Sequence, residues 1–530
     1  MVYIESDCEQ VQLIPTNLRD IIPKDHICYL IEEIVHGLDF CTFDEKVQGP
    51  GNPSYHPRIL LKIVINGICD IITSTRKLAK LTSENIIFRY LSENLTPDFH
   101  TIAMFRKNNS GLIKACFLQT IKVAKGLDMV NFNKLYLDGT KIKANASKSN
   151  SFSEEELDFL SDFVDEQMKK MDEKDKEENA KYGDSDGEPK IPDHFTKRSN
   201  LRKKIKEILN TPDKYKTKID AAKKNFTEKS VKEVNLTDPD SQLMKMKQGA
   251  GYKQAYNCQF LVEDKGEIIV GNYLSDSPVD VSETVSTMEK FKQEQNLSLV
   301  NVEVFQDNGY CSSSTAEYYE KEGAKAYIPD AATTKELHGK AKDILKYDID
   351  NFEFDFKKNQ TKCPDGHIMD FIRKDYQNKN KTNWTNIYRT DKCKTCHNKS
   401  ECITNKKDLK RGHREAKINS LMRTIRLRFK TEEGVKKYNK RFHKGEIAQA
   451  HILHNLGYKE FRCRSIKSCE NELNLVSIAY NLKKIHNKIK KNINKINENL
   501  KKSLRIFDLH HFFELSDNLH WTLDILTRGL

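Results

Sequence analysis

Apolar residues recur at helical spacing from Pro57, where PRILLKIVINGIC is almost continuously hydrophobic, through Leu78 and Leu81 to Ile86, Ile87 and Leu91. This pattern predicts a helical N-terminal domain over residues 1–130. At 134–144 the rhythm changes. In KLYLDGTKIKA, Leu135, Leu137 and Ile142 surround an Asp-Gly pair, which reads as a strand. Residues 151–235 are dominated by Glu, Asp and Lys with few apolar anchors, broken by a Gly- and Pro-containing loop at Tyr182 to Pro192. That segment predicts a charged helical insertion outside the core. In 255–274 two apolar runs flank Asp264, Lys265 and Gly266, a hairpin pattern. A helix over 284–293 follows. NVEVFQD, 301–307, is a short buried strand ending in an acid, then come a helix from Ala316 to Glu322 and a strand from Ala324 to Ile328 closed by Pro329.

Strand, hairpin, helix, strand, helix, strand is the order of a ribonuclease-H-like fold, a mixed sheet flanked by helices. The core is therefore expected to begin in 131–150, pause for the charged insertion at 151–235 and resume at 236–354. A Cys-rich insertion at 355–405 and a basic helical C-terminal part at 406–530 complete an α+β/α/β organisation. No internal repeat of fixed period interrupts it.

Composition narrows the classes of function. At 530 residues the chain has room for about two to four domains. Lys and Arg number 89 against 77 Asp and Glu, a net charge of +12. Residues 151–190 hold 15 acids and 6 lysines, which leaves +21 on the rest, a candidate polyanion-binding surface. A base-composition bias toward Lys and Asn codons would give the same excess. No stretch reaches the roughly 18 apolar residues that span a bilayer, and Met1 to Gln12 carries acids where a signal peptide needs a basic flank. A cytoplasmic protein without a membrane partner is expected. Most of the 13 Cys are scattered, as in a reducing compartment, but four fall at metal-ligand spacing.

Two acids sit where chemistry is possible. Asp138 lies inside a strand beside Gly139, and Asp307 ends a strand before Asn308-Gly309-Tyr310. Hard divalent ions take carboxylate oxygens, and two ions about 3.5 to 4 Å apart can activate a nucleophile and stabilise a leaving oxygen in phosphodiester cleavage. Taken singly, an Asp at a strand end is usually a turn former or a cap. A third acid must come from an element packed on those strands, and Glu446, in the basic stretch Tyr438-Asn439-Lys440-Arg441-Phe442-His443-Lys444-Gly445-Glu446, is the candidate. An exposed salt-bridging Glu is the plainer account of that residue.

Motifs along most of the chain resemble those of bacterial insertion-sequence transposases of the DDE type, the group whose last motif reads Tyr-x2-Arg, Glu and then Lys. Tyr55-His56-Pro57-Arg58, Ser74-Thr75-Arg76-Lys77, Pro97-Asp98-Phe99-His100-Thr101-Ile102 and Phe105-Arg106 are similar to that group's helical DNA-binding domain. DGTKIKANAS at 138–147 resembles its first catalytic strand, and TDPDSQLMK with GYKQAYNCQ the approach to its second. Asp280 falls where the group commonly carries an Asp. QDNGY at 306–310 resembles the second acid motif, and Gly457-Tyr458, Phe461, Arg464 and Glu472 leading to Ala479-Tyr480-Asn481-Leu482 the C-terminal signature. The resemblance implies catalytic, metal-holding Asp138, Asp307 and Glu446 with Mg²⁺ or Mn²⁺, and DNA, both transposon ends and target, as partner. It also implies DNA contacts from Arg76, Lys77, Tyr438, Arg441 and Arg464, a homodimer on DNA and a nucleoid-associated cytoplasmic location. Glu472 is the reserve third acid. The chain departs from the group at Leu453, seven residues after Glu446, where a Lys is usual, and at Ser465, where Gly is usual. His451, His454 or Lys459 could supply the missing charge.

Cys363-Pro-Asp-Gly-His367, Cys393-Lys-Thr-Cys396 and Cys402 have the donor types and spacing of a tetrahedral structural Zn²⁺ site, a small zinc ribbon. Four reduced thiols would be the alternative. Aromatic and basic residues interleave around Arg423, Arg426, Arg428, Phe429, Tyr438 and Arg441, as in stretches that bind phosphates and stack on bases. The expected function is metal-dependent cleavage and strand transfer at element ends. A non-catalytic DNA-binding descendant and a ribonuclease-H-like nuclease that cuts without joining are the rivals.

Overall fold

The structure is a computed structural model that describes residues 17–44, 54–177, 201, 204–205, 207–208, 212–229, 231–246, 251–339, 346–355, 357–376, 383–403 and 406–504. The expected loop at Tyr182 to Pro192 and the N-terminal dozen residues lie outside them. The chain divides into two compact units, one formed by Met1–Val130, Lys265–Ile269 and His451–Leu530, the other by Asn131–Asp264 and Val270–Ala450.

The first unit is helical. Its described elements include α1 (Ile27–His36), α2 (Pro57–Cys69), α3 (Thr75–Glu84), α4 (Phe99–Asn108), α5 (Ser110–Gly126) and a last long helix, Ile466–Leu504. Proline at the first position of α2 and His56, whose Nδ1 accepts the Arg58 amide at 3.2 Å, start the helix. It is apolar nearly all round and correspondingly buried. Lys62 within it is buried, with Glu93 3.1 Å away. The long helix packs on α2 and α5, and its Leu473, Val476, Ala479 and Tyr480 are buried. Asn481 there closes two hydrogen bonds on the backbone of Ile269, both 2.9 Å.

The second unit is built on a mixed six-stranded sheet: β1 (Lys134–Lys143), β2 (Gln242–Lys245), β3 (Tyr252–Glu263), β4 (Ile269–Ser275), β5 (Glu303–Phe305) and β6 (Lys325–Tyr327). The order is β2-β3-β1-β5-β6, with β4 also paired to β3. β1 runs antiparallel to β3 and parallel to β5, and β5 parallel to β6. With the helices α8 (Glu283–Gln295) after β4 and α9 (Ser313–Lys321) between β5 and β6, this arrangement fits an α+β ribonuclease-H-like core. An aromatic ladder pins the parallel register. Tyr136, Phe305 and Tyr327 face one another across β1, β5 and β6, their rings stacked at 4.9 and 4.7 Å.

Two insertions behave differently from expectation. The acidic one carries α6 (Glu154–Glu177) and α7 (Pro212–Lys229), and it does have a core of its own. Phe152, Leu157, Leu160, Phe163, Val164, Ile219, Ala222 and Phe226 are buried together, because the sparse apolar residues share single helix stripes. The Cys-rich segment lies within an antiparallel meander of five strands, β7 (Glu353–Asp355), β8 (Gln360–Lys362), β9 (Ile368–Tyr376), β10 (Trp384–Arg389) and β11 (Ala416–Ile418). Its last strand falls in the part read as basic helix from Lys406. Ala416 and Ile418 turn inward and Lys417 outward, a pattern too short to register in a Lys-rich sequence. Beyond it come α10 (Ser420–Arg428) and α11 (Glu432–Ala450).

Candidate active site

Asp138 lies two residues beyond Tyr136 on β1, and Asp307 two beyond Phe305 at the end of β5. Side chains alternate along a strand, and Tyr136 and Phe305 are register partners in a parallel pair. The ladder therefore brings Asp138, in mid-strand on β1, beside the carboxyl end of β5, just past which Asp307 lies. Asp138 is 6% exposed, and its Oδ1 accepts the Gly139 amide at 2.9 Å. Asp307 opens a short 3-10 turn, Asn308–Tyr310, and its Oδ1 accepts the Gly309 amide at 2.8 Å.

The third acid is brought in by α11, which packs on β1 and β3. Gly445 faces β1, where a methyl group would meet Cβ of Tyr136 at 3.4 Å and Cβ of Asp138 at 3.8 Å, ordinary contact distances. Glu446 follows at once, half exposed. Arg441, one turn earlier, joins the acids: its Nη1 is 3.5 Å from Asp138 Oδ2 and its Nη2 3.2 Å from Glu446 Oε1. Burial alone would lower the pKa of Arg441, but Tyr438, Asp138, Asp307 and Glu446 together raise it. The guanidinium is thus the resident positive charge among three carboxylates.

The Tyr310 hydroxyl is fully buried and donates to Gln259 Oε1. Its pKa is raised well above the ordinary value, first by burial and then by the charges of Asp138, Asp280 and Asp307. Sequence reasoning missed Tyr310, Gln259 and Asn257, since neither amides on a buried strand nor a turn tyrosine carry a motif; the only signal was their place in GYKQAYNCQ and QDNGY.

The other expected site residues are divided between the two units. Tyr438 and Arg441, read as DNA contacts, are 5% and 6% exposed. Tyr438 packs edge-on to Phe429 at 5.1 Å, and its hydroxyl pKa rises to about 12 through burial. Arg76, Lys77 and Arg464 belong to the helical unit and are exposed, Arg76 lying over the Phe99 ring at 5.1 Å. Glu472 is in that unit too, fully buried, with Arg106 Nε at 3.2 Å, the Tyr458 hydroxyl at 2.5 Å and the Arg462 amide at 2.7 Å. His451, a suggested stand-in for the absent Lys, packs on Tyr480 with its pKa lowered by burial and by Lys483 and Lys484, so it is neutral near pH 7.

Cys363, Cys393, Cys396 and Cys402 line one small hollow together with Asp365, His367 and Arg414. The His367 amide donates to Cys363 Sγ at 3.3 Å and Arg414 Nη1 to Cys402 Sγ at 3.4 Å. Burial raises the Cys393 pKa, and Cys402, Cys363 and Cys396 add to the rise. The donor types suit zinc at this hollow and a hard cation at the carboxylates. Among the described residues, however, no three Asp, Glu, His or Cys side chains stand together as a ready ion site. Nor is any described helix long and apolar enough to cross a membrane.

Comparison with known families gives two matches. The Transposase DDE domain matches residues 362–486, which include Glu446 and the four cysteines, and the Transposase domain (DUF772) matches residues 16–108. No curated protein matches the chain. The two matches, one near the N-terminus and one in the C-terminal half, make the chain similar to transposases and support a DDE-type insertion-sequence transposase.

Proposed function

We propose that this transposase hydrolyses a DNA strand at the ends of its insertion sequence and uses the freed 3′-hydroxyl to attack target DNA. The observation that carries the reading is that one guanidinium, Arg441, lies 3.5 Å from Asp138 and 3.2 Å from Glu446 and also feels the charge of Asp307. In this reading the three carboxylates hold Mg²⁺ or Mn²⁺, which when bound activates the attacking oxygen and stabilises the leaving one. Asp138 and Asp307 are set by the strand register, so their spacing is fixed before DNA arrives. Arg441 holds Asp138 and Glu446 in place. Exposed Arg76, Lys77 and Arg464 contact phosphates of the element ends, and two chains act on paired ends as a homodimer. The four cysteines hold a structural Zn²⁺ in a zinc ribbon, away from the chemistry because four protein ligands leave no open position.

The decisive experiment incubates the protein with duplex DNA carrying the inverted repeats that flank its gene. Asp138→Asn, Asp307→Asn and Glu446→Gln should each abolish Mg²⁺-dependent cleavage and leave binding of the ends largely intact. Binding without any cleavage by the parent protein would favour the non-catalytic descendant, to which Leu453 in place of Lys already points. Cleavage without joined products would leave a nuclease.

A further inference from the structure

A fourth carboxylate lies between the two glycines that follow the strand acids. Asp280 sits between β4 and α8. Its Oδ1 accepts the side-chain amides of Asn257 at 2.7 Å and Gln259 at 3.0 Å, and among the described residues no donor reaches its Oδ2. A methyl group on Gly139 would stand 2.9 Å from Asp280 Oδ1 and 2.5 Å from Gln259 Nε2. One on Gly309 would stand 3.6 Å from Asp280 Oδ2. The carboxylate therefore reaches from the neighbour of Asp138 to the turn of Asp307, and Gly139 leaves the room for it.

Gln259, which donates to Asp280, also accepts the Tyr310 hydroxyl. The acid is thus tied to the turn that Asp307 opens. An asparagine would accept the same two amides without adding a like charge beside other carboxylates, which is unfavourable unless a cation offsets it. The charge, then, is what needs explaining.

We propose that Asp280 is a positioning residue of this centre, whose negative charge beside Asp138 and Asp307 strengthens the hold on a divalent cation. The proposal rests on the metal-dependent reading above. It is tested by binding of Mn²⁺ alone, followed by electron paramagnetic resonance on the full chain without DNA, with thermal melting as the check on folding. Asp280→Asn should weaken Mn²⁺ binding about tenfold, as loss of supporting groups around metal ligands does. Asp280→Glu, which keeps the charge, should recover most of that loss. Asp280→Asn at the parent affinity, or Asn and Glu variants equally weakened, would overturn the proposal. Asp138→Asn separates the two ideas: if it too leaves Mn²⁺ binding unchanged, the metal reading itself has failed, whereas loss in Asp138→Asn with none in Asp280→Asn sinks only the role of Asp280.

Discussion

Arg441 places Nη1 3.5 Å from Oδ2 of Asp138, and both side chains are less than a tenth exposed. A carboxylate at such a depth needs a counter-charge. Arg441→Met would leave it without one, and removing one partner of a buried pair costs about 3 to 5 kcal/mol. The variant should unfold at clearly lower denaturant, and Mg²⁺ should restore more stability to it than to the parent. Arg441→Lys should recover little, since an ammonium cannot span Asp138 and Glu446 as the planar fork does. Unchanged denaturation of Arg441→Met would show that Asp138 is adequately solvated without its partner.

Glu472 gives the opposite signature from Glu446. It is buried against Arg106, Tyr458 and the Arg462 amide, so Glu472→Gln should cost about 3 kcal/mol by stranding the Arg106 charge. Whatever protein remains folded should keep the Mg²⁺ dependence of its cleavage. Glu446, with its side chain 48% exposed, should behave in reverse, losing activity with little change in melting. Melting curves and cleavage assays on the two variants side by side distinguish support from chemistry.

These contrasts show what the sequence could and could not express. The strands bearing Asp138 and Asp307 were legible because apolar alternation and a terminal acid are local patterns. That they lie side by side depends on the Tyr136–Phe305 register, a pairing across about 170 residues that no window of sequence contains. Arg441 was read as a DNA contact because a basic helix suggests phosphates. Its burial against Asp138 follows from the packing of α11 on β1, a contact between distant parts of the sequence. The core of the acidic insertion was missed for a different reason: Leu157, Leu160 and Val164 are few, and only their common helical face reveals them.

Acid should weaken the helical unit early. The pKa of His451 is lowered from 6.5 by burial, then by Lys483 and Lys484, and that of His26 is lowered chiefly by burial. A depressed histidine binds fewer protons folded than unfolded, so its contribution is fully present above pH 6.5 and is lost as pH falls from there toward the folded value. Carboxylate protonation acts at lower pH. His451→Phe, which keeps an edge-to-face ring on Tyr480 and cannot titrate, should flatten the melting temperature between about pH 7.5 and pH 5. An identical pH slope in parent and variant would remove His451 from the account.

Zinc at the four cysteines, if it is held there, has a confined structural consequence. The purified chain should carry about one zinc, and Cys396→Ser should release it, because three remaining donors no longer close a tetrahedral site. Binding energy at such a site is local folding energy, so something must loosen. The five-stranded meander should not, since Phe352, Met369, Tyr388, Ala416 and Ile418 form its own apolar cluster, with Cys363 only packed against the margin. Disorder on zinc loss should therefore be limited to the turns at 363–367 and 391–403, read as faster amide exchange there and unchanged protection in β9 and β10. The Arg414 contact to Cys402 Sγ gives a second check, because release of the metal should expose that thiol to alkylation. Protein prepared without chelator that contains no zinc and alkylates at all four positions would reduce the cluster to ordinary thiols held by the meander alone.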